Sequence, residues 1–114
     1  MSLQGTNRET GGVLIVDFSG RITLGDASAM LRRTIRELNA SGHKKILLNL
    51  ADVDYIDSAG IGELVSAYSS VRTAGGELKL LNLTKRVNDL LQITRLFTVF
   101  DVQSEEWTAI HSFK

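Results

Sequence analysis

Asp57-Ser58-Ala59-Gly60-Ile61-Gly62 sets one hydroxyl between a carboxylate and two glycines, where a strand-like run gives way to an amphipathic helical pattern. Backbone N–H groups and the helix dipole at such a junction favour negative charge. Two kinds of chemistry suit it. Ser58 can act as a helix N-cap, a role in which serine is common, or it can gain and lose a phosphate. Gly60 and Gly62 cost helix propensity of up to about 1 kcal/mol each relative to alanine. They therefore need a reason, either a tight turn with close packing of the helix on a sheet, or room for another surface at the first helical turn.

Other constellations compete with that one. Asp52, Asp54 and Asp57 are spaced like the acids of a metal site in which an aspartate accepts phosphate. Such sites want paired acids at an early strand end and a late-strand lysine, whereas Asp17 stands alone in an alternating strand and Lys79 falls mid-strand. Hydrolase chemistry has less support, because Ser58 lacks a GxSxG elbow and neither His43 nor His111 has a route to it. Both histidines read as surface residues. No metal site and no catalytic residue is expected.

The elements that must hold Ser58 follow from periodicity. Residues 13–18 form a β-branched, apolar run after the turn formers Glu9-Thr10-Gly11-Gly12, predicting a hairpin of residues 3–8 with 13–18 that Gly20 interrupts. A short extended piece, 21–23, follows. Ala27, Met30, Leu31, Thr34, Ile35 and Leu38 recur at helical spacing, predicting a helix capped by Thr23 or Asp26 and ended by Ser41-Gly42. Residues 45–50 read as a buried strand bounded by Ala51-Asp52. Ile61, Leu64, Val65, Tyr68 and Val71 or Arg72 mark a second helix, stopped by Ala74-Gly75-Gly76. Beyond it come a core strand over 77–83 and a helix over 85–91 with Val87, Leu90 and Leu91 inward. A last strand over 98–102 and a terminal helix over 105–113, anchored by Trp107, complete the series; Leu96-Phe97 suits either core or a partner patch.

This alternation predicts an α/β fold: a mixed, mostly parallel sheet of four or five strands with an N-terminal hairpin, right-handed crossovers and about four flanking helices. Open sheets of this kind bind partners at the carboxyl ends of their strands. Residues 23–26, 52–58 and 83–85 should share that rim, with Ser58 on it.

Composition narrows the partners. At 114 residues there is room for one domain, 1–114, burying somewhat over 60% of its unfolded surface, as chains of this size roughly do. Formal net charge is zero, and the basic residues fall in separate groups: Arg32, Arg33 and Arg36, then Lys44 and Lys45, then Lys85 and Arg86. Without a basic stripe, nucleic acid and anionic membrane are poor partners. Zero cysteines exclude disulfides and thiolate metal sites. The longest apolar runs, such as Val13 to Val16, are far too short for a bilayer span. The first ten residues are polar and lack a secretory h-region, which points to the cytoplasm, and Met1-Ser2-Leu3 reads as a vector-derived leader.

Val53-Asp54-Tyr55-Ile56-Asp57-Ser58-Ala59-Gly60-Ile61-Gly62, followed by Gly75-Gly76-Glu77-Leu78-Lys79-Leu80, closely resembles the STAS domain of bacterial anti-sigma factor antagonists. The likeness runs from Val13 to Ile110 and takes in the Gly20 turn, Ile46-Leu47-Leu48-Asn49-Leu50 and the Val87, Leu90, Leu91, Leu96, Phe97 pattern. It implies a STAS-like single domain that is not an enzyme. In the family, a serine matching Ser58 is phosphorylated by a serine-kinase anti-sigma factor using ATP that the kinase itself binds, so no cofactor is expected here. A phosphatase reverses the modification. The unphosphorylated form binds the anti-sigma factor and frees a sigma factor. The resemblance makes Ser58 the phosphoacceptor and Asp57, Ser58, Ala59, Gly60, Ile61 and Gly62, with Thr23, the partner-binding set. Ala59 stands where many relatives carry a second hydroxyl, Thr84 where proline is frequent, and Ile61 where leucine is usual. STAS-like domains also serve as regulatory or scaffold modules of transporters, signalling assemblies and lipid-handling systems, an alternative job on the same fold.

Overall fold

Gly11 and Gly12, both at positive φ, close a two-residue turn that pairs β1 (Gln4–Thr10) antiparallel with β2 (Val13–Ile22). The structure, a computed structural model, describes residues 3–114. From β2 onward strand and helix alternate: α1 (Asp26–Ala40), β3 (Lys45–Ile56), α2 (Ser58–Thr73), β4 (Glu77–Leu81), α3 (Lys85–Ile93), a 3₁₀ turn (Leu96–Thr98), β5 (Val102–Gln103) and α4 (Glu106–Ser112). The five strands lie in one sheet in sequence order, with β2 through β5 parallel. The mixed sheet, N-terminal hairpin and four helices are those expected.

With parallel strands following one another in sequence order, α1, α2 and α3 pack on the same face. There Leu14, Val16 and Phe18 of β2, Ile46 and Leu48 of β3 and Leu78 and Leu80 of β4 meet Leu31, Ile35, Leu64, Val71 and Leu91 of the helices. The intervening residues Val13, Ile15, Leu47 and Leu81 face α4 through Ala109 and Phe113. Shelter on both faces explains why the central strands begin as continuous apolar runs rather than alternating ones.

Two polar ties fix α4. The Arg8 guanidinium donates to Asp17 at 2.6 and 3.1 Å and to Glu106 at 2.9 and 2.5 Å. It holds both carboxyls below the usual range. Lys79, buried in a core strand, donates to the Ser112 carbonyl and hydroxyl at 3.0 and 2.9 Å and pairs with Asp101 at 3.0 Å. Its ammonium is fully satisfied, which is what lets a lysine occupy that position.

Several elements differ from their sequence expectation. β3 does not stop at Leu50 but runs to Ile56, because Asp52, Val53, Tyr55 and Ile56 stay paired with Ser19, Gly20, Arg21 and Ile22 across two register shifts. Gly20 therefore lies inside β2. Neither Thr23 nor Asp26 caps α1: the cap is Gly25 at φ 106, a conformation suited to glycine, and Asp26 is the first helical residue. β4 ends at Leu81 because Asn82 turns to φ 58. Residues 98–100 belong to the 3₁₀ turn and the bend after it, so only Val102–Gln103 form the last strand. Trp107 is not an anchor. It is 66% exposed and stacks on His111 at 4.1 Å, while Ala109 and Phe113 face the sheet. Leu96 packs on the main core and Phe97 is half exposed. Of the leader reading, Met1 and Ser2 lie outside the described residues, whereas Leu3 is buried in the core.

Candidate functional site

Where β3 ends, Asp57 takes extended dihedrals (φ −105, ψ −177) and becomes the N-cap of α2. Its Oδ1 accepts from the Gly60 N–H at 2.8 Å, and its carbonyl accepts the first helical bond from Ile61 at 2.9 Å. Its Oδ2 accepts from the Leu24 N–H at 3.1 Å, tying the loop between β2 and α1 to the mouth of α2. The Asp57 N–H donates to the Ile22 carbonyl at 3.3 Å. The Gly60 bond first, then the Leu24 bond, hold the Asp57 carboxyl below the usual carboxylate range.

Capping thus belongs to Asp57, and Ser58 is released from it. Ser58 is the first residue of α2 and is exposed. The rest of the segment divides sharply. Ala59 is half-buried and Gly62 is exposed with open space where its Cβ would be. Gly60 and Ile61, expected on the partner surface, are buried. A Cβ on Gly60 would sit 2.1 Å from the Ile22 carbonyl oxygen and 2.7 Å from Ile56, so this glycine serves the packing of α2 onto β2. Ile61 turns into the main core. Thr23 lies half-buried beside the site, its carbonyl accepting from Ser28 at 3.2 Å.

The strand-to-helix loops do converge on one rim. Besides the Leu24–Asp57 link, the Thr84 hydroxyl donates to the Val53 carbonyl at 2.8 Å. Thr84 has φ −67, a value proline also adopts, so the departure at this position leaves the backbone path unchanged. Leu24 was missed by sequence reasoning. It is 78% exposed next to Asp57, and the available signal was a large apolar side chain in an otherwise polar loop.

Asp52 and Asp54 point to solvent along β3, and the Asp57 carboxylate is occupied by backbone donors. Among the described residues no group of three or more His, Asp or Glu side chains is placed to hold a metal ion. His111 packs on Trp107 of α4, and the His43 N–H donates to the Leu38 carbonyl at 3.1 Å. Neither approaches α2 by any hydrogen bond among the described residues. No helix among them is long and apolar enough to cross a membrane.

The cap makes α2 sensitive to acid. A carboxyl whose pKa is depressed by folding contributes stability above its unfolded value, about 3.9, and that contribution is lost as pH falls through the lower folded value. Asp57→Ala should cost about 1 to 2 kcal/mol at pH 7, a fall of roughly 4 to 8 °C per kcal/mol in a small domain. Thermal unfolding at pH 7 and pH 3 checks it: the gap between wild type and Asp57→Ala narrows at the lower pH.

With this geometry in view, comparison with known proteins gives a consistent picture. The STAS domain family model matches residues 6–109. The anti-sigma-B factor antagonist of Bacillus subtilis is 31% identical over 90 residues, spanning 79% of this chain and 81% of its own. The anti-sigma F factor antagonist of Paenibacillus polymyxa is 29% identical over 111 residues, 96% of this chain and 94% of its own. A crystal structure of an anti-sigma factor antagonist from Mycobacterium paratuberculosis superposes with a TM-score of 0.83 over 98% of this chain and 94% of that one, at 18% identity, a likeness of fold.

Proposed function

This chain belongs to the STAS domain family, and we propose that it acts as an anti-sigma factor antagonist switched by phosphorylation of Ser58. The carrying observation is the division of labour at α2: Asp57 caps the helix, leaving the Ser58 hydroxyl exposed at its first residue. A serine serving as the cap would be unavailable without loss of fold. This one is free to react.

In this reading the unphosphorylated rim docks a serine-kinase anti-sigma factor in the cytoplasm, through Ser58, Gly62, the edge of Ala59, and Thr23 with its neighbour Leu24. Docking releases a sigma factor. The kinase supplies its own ATP, and the antagonist contributes a nucleophilic hydroxyl rather than catalytic groups. Phosphate on Ser58 adds nearly two negative charges. The α2 N-terminus offsets part of them, by about 0.3 to 1 kcal/mol per charge and up to roughly 2 when partly buried, so the fold persists. Under a partner the same group is desolvated beside the Asp57 carboxylate, which costs several kcal/mol in affinity. A phosphatase acting on phosphorylated Ser58 restores binding.

Incubating the protein with its cognate kinase and ATP, followed by peptide mass spectrometry, tests the assignment. One phosphate on Ser58, absent from Ser58→Ala, is expected. A phosphate on any other hydroxyl would redirect it.

A further inference from the structure

Arg21 on β2 and Arg86 in the first turn of α3 bring their guanidinium carbons to 5.7 and 4.5 Å from the ring centroid of one tyrosine, Tyr55 of β3. Cations this close are attracted by the ring quadrupole. Both arginines are exposed and Tyr55 is half-buried. Among the described residues the ion pairs are Arg8 with Asp17 and Glu106, Arg32 with Glu63, Lys79 with Asp101 and Lys85 with Asp89; Arg21 and Arg86 are in none of them. Asp52 and Asp54 stand exposed on the same stretch of β3 without pairing to either.

Two like charges gathered on one ring repel, and an arriving anion relieves the repulsion. Placed over the ring, each guanidinium can still turn its N–H edges to a carboxylate and bond it in a bidentate way. The stack also lies within reach of Ser58. Three residue steps of chain run from Tyr55 to Ser58, at most about 11 Å between their backbones. A standard interface buries about 800 Å² per partner, a disc of roughly 16 Å radius, so one centred on Ser58 extends past the Tyr55 backbone.

We propose that Arg21, Tyr55 and Arg86 form a preorganised cationic step that receives Asp or Glu carboxylates on the docking face of the anti-sigma factor kinase. This rests on the function proposed above and names the chemistry of the partner. The nearby Asp52 and Asp54 keep the rim from being a general anion trap, so recognition depends on where the partner's carboxylates stand.

The test is calorimetry and stopped-flow binding of the cognate kinase, without nucleotide, to wild type, Arg21→Glu/Arg86→Glu, Tyr55→Phe and Ser58→Asp, at about 50 and 300 mM salt. Charge reversal should weaken binding about tenfold or more, mainly through the association rate, and flatten its salt dependence. Tyr55→Phe keeps the ring and should bind like wild type. If the reversed pair melts early, Arg21→Gln/Arg86→Gln replaces it, with a smaller loss expected. Unchanged or tighter binding by the arginine variants overturns the proposal. Silence in the arginine variants beside a weakened Ser58→Asp sinks this inference alone; silence in both sinks the phosphorylation switch with it.

Discussion

Ser58→Asp should bind the cognate anti-sigma factor kinase roughly a hundredfold more weakly than wild type, while Ser58→Ala should bind within about threefold of it. The hundredfold corresponds to about 2.7 kcal/mol, the low end of what an unpaired charge costs when desolvated in an interface. Stability should move the other way or not at all. An acidic side chain at the first residue of α2 faces the positive end of the helix, a contribution of about 0.3 to 1 kcal/mol that the neighbouring Asp57 carboxylate partly cancels. Opposite signs in melting and in affinity separate a switch of surface charge from a loss of fold. Calorimetry paired with thermal unfolding reads both, and equal affinities for wild type and Ser58→Asp would rule out the switch.

The core of this architecture was legible because its signals are local and repeated. Ala27, Leu31, Ile35 and Leu38 mark one face of α1 whatever surrounds them, and Gly11-Gly12 closes a hairpin by its own geometry. The site was legible only to within one residue. Asp57 and Ser58 are adjacent and both are good caps, and the choice between them is made by partners far along the chain: the Ile22 carbonyl, which takes the Asp57 N–H, and the Leu24 N–H, which takes its carboxylate from 33 residues away. The extension of β3 to Ile56 depends likewise on two bulges that each give β3 one residue more than β2, at 49–52 and 53–55, and these break the alternation by which a strand is read. Trp107 misled because α4 has seven residues, too few turns for periodicity to fix which side faces inward. Phe113, just beyond it, settles the phase by packing under the sheet with Ala109.

The two glycines of α2 look alike in sequence and should behave oppositely. Gly60→Val places a Cβ where the Ile22 carbonyl oxygen already lies, at 2.1 Å, and near the Ile56 side chain at 2.7 Å. Neither neighbour can yield, since one is backbone of β2 and the other is core. The helix must lift, and lifting it breaks the Asp57 bonds to Ile22 and Leu24 as well as the Gly60 cap bond. Overpacking costs about 1 to 3 kcal/mol and a lost cap about 1 more. A loss of roughly 3 kcal/mol or more is expected, a fall in melting temperature above about 10 °C or failure to accumulate as folded protein. Gly62→Ala meets nothing within 4 Å and should raise stability by about 0.5 to 1 kcal/mol through helix propensity alone. A residue that destabilises its own helix, with no contact inside the chain to justify it, has its reason outside the chain. If docking is that reason, a bulky replacement such as Gly62→Trp keeps the melt near that of wild type and still abolishes kinase binding. Gly62→Trp binding as well as wild type would remove this turn of α2 from the interface and leave only Ser58 and the loop carrying Thr23 and Leu24.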